Sequence, residues 1–282
     1  MKKILFPTDL SKNAENAFLY ALGVAEKINA EILALHVYDY PDMKRLKRLP
    51  HTLELAYEDI QIEEFENFKD AIPKLREIAT ENNLSKIRMS HMLLKGDSVR
   101  TIVKTSAKED CDFIIMGTKG FSGLKEMFMG SVTSGVIHNS KKIVLSVPID
   151  VSFDGELDQI LFLINYNDNK DIEAMRRVIK FAKQFKESKI HCVHIDDPNR
   201  SDGSQILKEM EAQLKPEYEH LDFVSIGTND RHKTLEEYCD THKIDIVAIL
   251  PQRRNLFQRI FFKSRSKKMA NHLKVPLMTI PH

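Results

Sequence analysis

The most informative part of the sequence reads Asp112-Phe113-Ile114-Ile115-Met116-Gly117-Thr118-Lys119-Gly120-Phe121-Ser122-Gly123 and resumes with Gly130-Ser131-Val132-Thr133. The apolar run 113–116 is typical of a short parallel strand that is buried on both faces. Half of the ten glycines lie between Gly117 and Gly135, and glycine lets the backbone come close to a bulky anion. Gly130-Ser131 opens a helical pattern, and the N–H groups at a helix start attract phosphate. This order of strand, glycine-rich loop and helix predicts an anion site.

Neither of the two best-known phosphate motifs is present in this stretch. The Walker A pattern GxxxxGK[ST] is absent, and so is the dinucleotide fingerprint GxGxxG. The Ser131 and Thr133 hydroxyls would add hydrogen-bond donors, and Lys119 would add positive charge. The alternative is that the glycines serve only turns and helix packing, and the pattern by itself leaves both interpretations open.

The first half of the chain alternates short apolar runs with helical periodicity. Strands are predicted at 2–6, 31–37, 87–94, 112–116 and 143–147, and helices after the N-cap Ser11, over 53–81 with a bend near Pro73, over 98–109 and over 131–139. This alternation predicts an α/β domain with a doubly wound parallel sheet. Ligands of such sheets bind beyond the carboxyl ends of the strands, so we expect Pro7-Thr8-Asp9 to meet the glycine-rich stretch there.

A second copy of the same pattern follows the first. Near the start of each copy, two segments are similar: 3–9 to 159–165, and 34–39 to 192–197. Near the end of each copy, two more segments are similar: 112–116 to 245–249, and 142–148 to 275–281. The offset falls from 156–158 to 133 residues, so the chain resembles a tandem duplication whose second copy is shorter in its middle. We place the boundary at residue 150, which gives one domain at 1–150 and another at 151–282.

Composition narrows the classes of function. The 282 residues are 42% hydrophobic and 29% charged, which is typical of globular proteins and argues against disorder or collagen. A net charge of +1 gives no electrostatic reason to expect nucleic acid or membrane as a partner. No apolar run approaches the ~20 residues of a membrane span, and the start Met1-Lys2-Lys3 lacks the apolar core of a signal peptide. We therefore expect a cytoplasmic protein.

Cysteine and histidine usage favours neither disulfides nor metals. Cys111, Cys192 and Cys239 are odd in number and form no CxxC pair. The eleven histidines show no spacing typical of a metal site, and His191 and His194 would point to opposite faces of a strand. We predict free thiols and no metal site.

These motifs resemble the universal stress protein family. Gly117-x2-Gly120-x9-Gly130-Ser131 reproduces in full that family's nucleotide motif, G-2x-G-9x-G-[ST]. Further matches are Ile4-Leu5-Phe6-Pro7-Thr8-Asp9-Leu10-Ser11, Leu35-His36-Val37, Gly96-Asp97 and Met116-Gly117-Thr118. The resemblance is strong over about 1–148 and weak over 158–281. It implies, for each domain, a five-stranded parallel sheet in the order 3-2-1-4-5 flanked by helices. It also implies ATP as the ligand, with or without Mg²⁺.

The resemblance assigns roles to individual residues of the site. Asp9 and the Val37 backbone would hold the adenine, and Pro7 and Gly117 would lie along the ribose, with Met116 in the same motif. Thr8, Gly120, Gly130, Ser131 and Val132 would contact the phosphates. Lys119 stands where the family varies, so its role is inferred from its charge alone.

The second half departs from this pattern. At the positions equivalent to Pro7, Thr8 and Asp9, the second half has Leu163, Ile164 and Asn165. At the positions equivalent to Gly117, Gly120 and Gly130, it has Leu250, Arg253 and Lys263. Ser131 is matched by Ser264. Side chains thus occupy positions that need bare backbone, so we expect no ATP binding of the family kind in 151–282. The family pairs through its fifth strands. We therefore expect 143–147 and 275–280 to pair within the chain as a built-in pseudo-dimer, and a homodimer stays open.

The sequence-based hypothesis is an ATP-binding stress-response regulator with the nucleotide in the first domain. No dedicated general base accompanies Asp9, so an efficient enzyme is not expected; slow hydrolysis or autophosphorylation at Ser131, Thr118 or Ser122 stays open. The other alternative is a scaffold that binds a protein client and no nucleotide. All charged residues between 252 and 274 are basic, which favours a solvated face and leaves an anion-binding patch open.

Overall fold

The computed structural model describes residues 1–39, 50–118, 130–164, 168–186, 188–196, 204–228, 230–251 and 275–281. The first half contains β1 (Lys2–Thr8), α1 (Lys12–Ile28), β2 (Ala30–Tyr38), α2 (Pro50–Glu81), β3 (Met89–Lys95), α3 (Ser98–Lys108), β4 (Phe113–Gly117), α4 (Ser131–Asn139) and β5 (Ile143–Val147). The second half contains β6 (Gln159–Ile164), α5 (Asp168–Ala182), β7 (Lys189–Asp196), α6 (Ser204–Leu214), β8 (Leu221–Gly227), α7 (Arg231–His242), β9 (Ile246–Ile249) and β10 (Leu277–Thr279).

The strands of both halves form one ten-stranded sheet. Its order is β3-β2-β1-β4-β5-β10-β9-β6-β7-β8, so each half has the order 3-2-1-4-5 that the resemblance implies. Pairing within each half is parallel. The halves join through an antiparallel pairing of β5 with β10, in which Met278 lies opposite Leu145. The predicted α/β class, with a doubly wound and mostly parallel sheet, is confirmed.

Local sequence signals explain where α1 begins and ends. The Ser11 hydroxyl accepts a hydrogen bond from the Ala14 N–H at 3.3 Å, which is the N-cap contact expected from the sequence. Asn29 ends the helix in the left-handed conformation, with φ of 51°, and asparagine tolerates this conformation better than most residues. The helix therefore starts and stops at residues whose chemistry favours those positions.

Helix α2 is longer than the sequence predicted. It begins at Pro50 and continues through Pro73 as one helix. Proline lacks the backbone N–H of a regular helical turn. Phe68 on one side of Pro73, and Leu75 and Ala79 on the other, are buried, so tertiary packing holds both parts of the helix to the protein core.

The two halves also match in hydrogen bonding. The Lys3 N–H donates to Asp112 Oδ2 at 2.9 Å in the first half. The Gln159 N–H donates to Asp245 Oδ2 at 2.8 Å in the second half. Each bond joins the first strand of its half to the residue that precedes the fourth strand, so the offsets that relate the halves in sequence also relate them in space.

Two apolar layers cover the sheet, and both extend across the halves. One layer includes the buried residues of α1 and α5, and the other includes those of α3, α4 and α7. Phe113 of β4 and Phe181 of α5 meet edge to face across the junction, with ring centroids 5.7 Å apart. The halves therefore share a core as well as a sheet.

The connection between the halves lies along α1. Asn16 donates its side-chain amide to Pro148 O at 3.2 Å and to Val151 O at 2.7 Å. The Phe153 ring packs so closely on Gly23 that any side chain there would displace it. The boundary predicted at residue 150 falls within this connection.

Membrane-spanning helices and metal clusters are both absent from the described ranges. None of the helices there is long and apolar enough to cross a bilayer. No three His, Cys, Asp or Glu side chains among the same residues are placed to hold a metal ion. Cys111, Cys192 and Cys239 are buried free thiols.

Candidate functional site

A cavity of about 360 Å³ opens at the carboxyl ends of β1, β2 and β4. It lies where the strand order reverses between β1 and β4, the position at which open α/β sheets bind ligands. Its lining residues are Pro7, Thr8, Asp9, Ala14, Leu35, Val37, Ser98, Ile102, Met116, Gly117, Gly130, Ser131, Val132 and Thr133. The volume is within the range of small-molecule sites, about 300–1,000 Å³.

Most of the residues that the sequence predicted for the site line this cavity. They are Pro7, Thr8, Asp9, Val37, Met116, Gly117, Gly130, Ser131 and Val132. Lys119 and Gly120 lie outside the described residues, and their roles stay predictions. The fold thus brings the end of β1 and the start of α4 to one cleft, although they are far apart in the chain.

A compact turn holds the end of β1. The Thr8 hydroxyl accepts the Leu10 N–H at 3.0 Å. Asp9 Oδ1 accepts the Ser11 N–H at 3.1 Å and the Ser11 hydroxyl at 2.6 Å. Leu10 adopts a φ of 59°, which is uncommon for a residue with a side chain. The turn orients the exposed Asp9 carboxylate at the rim of the cavity.

The start of α4 is a helix N-terminus without a side-chain cap. Gly130 is the N-cap residue, and among the described residues no side chain supplies the capping hydrogen bond. The Gly130 N–H donates to Thr118 O at 2.7 Å, which fixes the helix start beside the end of β4. The first N–H groups of a helix have no partner within the helix and carry the positive end of its dipole. The Ser131 and Val132 N–H groups are therefore suited to an anion.

Thr133 has a different role from the one expected. The sequence suggested that its hydroxyl would donate to a phosphate. In the structure Thr133 is buried, and its hydroxyl donates to Gly117 O at 2.9 Å. The expectation is wrong because the single proton of this hydroxyl is already donated to the Gly117 carbonyl. The hydrogen bond ties α4 to β4 instead.

Several lining residues were missed by sequence reasoning. They are Ala14, Leu35, Ser98 and Ile102. Ser98 directly follows the motif Gly96-Asp97, so this motif could have indicated that Ser98 lies at the site. The other three are apolar residues with no chemical signature, and only the fold brings them to the cavity.

The described part of the lining has little charge. Asp9 is the one ionisable side chain among those residues, and no lysine or arginine is among them. An anion in the described part of this cavity would therefore be bound by the N–H groups of α4 and by uncharged hydroxyls of the lining, such as those of Thr8 and Ser131.

Buried apolar residues stand at the equivalent positions of the second half. Leu250 stands for Gly117 and is buried, with 4% of its surface exposed. Leu163 and Ile164, which stand for Pro7 and Thr8, are buried as well. Lys263, which stands for Gly130, lies outside the described residues.

Comparison with known proteins links this site to a family. The sequence model of the universal stress protein family matches residues 1–148. The chain belongs to the universal stress protein family. One family member from Methanocaldococcus jannaschii is 35% identical over 152 residues, which is 52% of this chain and 94% of that protein. Another from the same organism is 32% identical over 146 residues, which is 52% of this chain and 81% of that protein.

A solved structure shares its fold with the whole chain. The crystal structure of a universal stress protein from Archaeoglobus fulgidus has a TM-score of 0.71 and 22% sequence identity, and the match covers 99% of this chain and 96% of that chain. Identity this low shows the fold alone. It shows that fold for the second half too, which the family match to 1–148 does not reach.

Proposed function

We propose that this universal stress protein binds one molecule of ATP in the first half and acts as a nucleotide-dependent regulator of a stress response. The observation that carries the proposal is that one cleft combines an apolar wall with the uncapped start of α4. The apolar wall, which includes Leu35, Val37, Ile102 and Met116, suits a planar base. The helix start suits a phosphate chain.

The proposed arrangement follows the cavity from its apolar wall to α4. Asp9 and the Val37 backbone would hold the adenine, and Pro7 and Gly117 would lie along the ribose. Thr8, Gly120, Gly130, Ser131 and Val132 would contact the phosphates, with Lys119 adding positive charge. Asp9 is the one carboxylate of the described lining and is hydrogen-bonded to Ser11. Any Mg²⁺ would therefore enter on the phosphates of ATP and not through protein carboxylates.

Efficient phosphoryl transfer is not part of the proposal. That reaction needs a positioned metal ion and a group that orients the nucleophile. In our arrangement Asp9 belongs to the adenine end of the cavity and so is not placed for either task. We propose that occupancy by ATP, and not its turnover, is the signal that protein clients read in the cytoplasm.

The second half has a supporting role in this proposal. The pairing of β5 with β10 covers the edge of each five-stranded unit, and an uncovered edge would invite unwanted association. Residues 151–282 would thus act as the dimer partner of residues 1–150 within one chain. They would contribute no ATP site, because Leu250 stands where Gly117 leaves room.

A glutamate at the start of α4 tests where ATP binds. In the variant Gly130→Glu the added Cβ would lie 3.4 Å from Thr118 O, an ordinary contact, so the fold is expected to persist. The new carboxylate would compete with phosphate for the α4 N–H groups and would repel it. We expect the ATP dissociation constant, measured by calorimetry, to rise by about 100-fold.

Gly227→Glu is the matched control for this experiment. Gly227 ends β8, and an added Cβ there has no neighbour within 4 Å. The control adds the same charge away from the cavity, so wild-type affinity is expected. Equal ATP affinity in Gly130→Glu and wild type would place the nucleotide elsewhere.

A further inference from the structure

His36 lies beside the candidate site and contacts two oxygen atoms that only accept hydrogen bonds. Its Nδ1 is 2.8 Å from Thr8 O, and its Nε2 is 3.1 Å from Glu64 Oε2. The residue is buried, with 8% of its surface exposed. A neutral imidazole has one N–H, and neither a carbonyl nor a carboxylate can donate to the other ring nitrogen. If both contacts are hydrogen bonds, the pair of side chains therefore carries one proton more than a neutral imidazole and an ionised carboxylate.

The buried histidine of the second half shows the neutral alternative. His191 Nδ1 is 2.9 Å from the Tyr238 hydroxyl, and Nε2 is 2.7 Å from Gln159 Oε1. The hydroxyl can donate and the amide oxygen can accept, so a neutral ring satisfies both partners. The partners of His36 offer no such solution.

The surroundings of His36 leave Glu64 as its charged partner among the described residues. Helix α2 contributes Glu64 and the Phe68 ring, which is stacked on His36 with centroids 6.3 Å apart. The buried residues of α1 include no charged side chain. On β3, His91 shares this face of the sheet, and burial, with the Arg76 charge of α2 adding to it, lowers its pKa. His91 therefore does not compete for the proton.

We propose that His36, with both ring nitrogens protonated, is a positioning residue that couples α2 to the nucleotide site. One N–H holds the carbonyl of Thr8, whose hydroxyl and neighbour Asp9 line the cavity. The other N–H holds Glu64 of α2. This inference rests on the proposed function. Loss of one proton breaks one of the two contacts, and the end of β1 is then held less firmly.

The coupling predicts that ATP binds more weakly as the pH rises. The protonated ring holds Thr8 in the binding geometry, so affinity is highest at low pH, where the ring keeps its second proton. We expect the wild-type dissociation constant, measured by calorimetry, to rise by about tenfold from pH 5.5 to pH 8.5 beyond any change seen in the variants below.

Two variants remove the need for the extra proton. In Glu64→Gln the new amide can donate to Nε2 of a neutral ring, so both contacts persist without a charge. In His36→Gln the amide can donate to Thr8 O and does not titrate. Both variants are expected to bind ATP with little pH dependence, and the titration of ATP itself cancels in the comparison with wild type. A wild-type pH dependence retained in both variants would overturn the proposal.

His194→Gln is the matched control in the second half. His194 Nδ1 is 3.3 Å from Ile164 O, so it makes the contact that His36 makes with Thr8, but at a place where no ATP is expected. This variant should retain the wild-type pH dependence of ATP binding. If His194→Gln lost this pH dependence, the effect would not come from His36.

A ligand-free measurement separates this inference from the proposed function. Nuclear magnetic resonance of the full chain with ¹⁵N-labelled histidine identifies the ring signals of His36 as those missing from His36→Gln. At pH 5.5, the acid end of the calorimetric range, we expect two protonated ring nitrogens in wild type and one in Glu64→Gln. An unprotonated ring nitrogen in wild type would overturn the inference even if ATP binds. Failure to bind ATP at any pH would overturn the proposed function and the coupling, while the ring signals would still give the protonation state.

Discussion

His191 is a buried side chain whose environment makes stability depend on pH. Burial, with the Lys189 charge adding to it, lowers the pKa of His191 to about 4. In the unfolded chain a histidine has a pKa of about 6.5. The unfolded state therefore binds the proton more readily, and the stability of the fold is lost as the pH falls from about 6.5 toward 4.

Replacing His191 by leucine tests this origin of acid sensitivity. Leucine is the residue that the first half has at the equivalent position, Leu33. When the pH falls from 7 to 5, we expect His191 to lower the unfolding free energy of wild type by about 2 kcal/mol. The decrease in unfolding free energy of His191→Leu should be smaller by that amount. The variant should be less stable at pH 7, because Tyr238 and Gln159 lose a buried partner, at about 1–3 kcal/mol. Urea unfolding at both pH values measures the difference.

His220→Leu serves as the control for the histidine experiment. The His220 side chain is 41% exposed, so the control removes a histidine that lies outside the core. This control is expected to keep the wild-type loss of stability. If His191→Leu lost as much stability as wild type between pH 7 and pH 5, His191 would not be the source.

Single residues of the candidate site could be predicted where they carry a chemical pattern. Pro7, Asp9 and Gly130 belong to ordered motifs, and all three line the cavity. The role of Thr133 could not be predicted, since it depends on which carbonyl becomes buried beside it. The contact between His36 and Glu64 joins residues 28 positions apart, and no local pattern marks such a pair.

At the level of helices, the glycine cluster serves two purposes. An added Cβ at Gly135 would lie 2.6 Å from Val99 Cγ2, so this glycine lets α4 pack closely on α3. Gly130 has room for a Cβ and lines the cavity instead. The packing interpretation that the sequence left open thus holds for Gly135, and the close contact keeps the starts of α3 and α4 together at the site.

Gly135→Ala tests the packing of α3 on α4. Helix propensity alone would stabilise this variant by about 1 kcal/mol. Overpacking against the stiff side chain of Val99 costs about 1–3 kcal/mol. We expect a net loss of about 1 kcal/mol of unfolding free energy, measured in urea.

The same substitution in a Val99→Ala background supplies the control. With the valine methyl groups removed, Gly135→Ala should stabilise the protein, because propensity then acts without a clash. A stabilised Gly135→Ala in the otherwise wild-type chain would contradict the proposed packing.

The positions of the strands could be predicted from the sequence, but the residues at which they end could be predicted less accurately. The run 143–147 matches β5, but β1 extends to Thr8 where the sequence indicated residue 6. Pro7 and Thr8 pair with Leu35 and His36 of β2, although proline is unusual inside a sheet. Apolar runs mark the buried part of a strand, whereas pairing with a neighbour decides where it stops.

At the scale of the whole molecule, the strands form one sheet, and its two halves differ in the residues at and after their strand ends. The first half has bare backbone and an uncapped helix beside the cavity, and the second half has Leu163, Ile164 and Leu250 buried at the equivalent positions. The pairing of β5 with β10 could be predicted, because the family resemblance identified the two fifth strands. The shared core, including the contact of Phe113 with Phe181, had no signal in the sequence, since it joins residues of different halves.

The number of ATP molecules bound per chain distinguishes a single nucleotide site from none or two. Native mass spectrometry of the full chain, titrated with ATP to millimolar concentration, counts bound nucleotides on each molecule. One ATP per chain at saturation is the predicted result, because the first half has the cavity and the glycine at the start of α4, whereas the second half has the buried Leu250 in place of Gly117. No bound ATP, or two ATP molecules per chain, would contradict it.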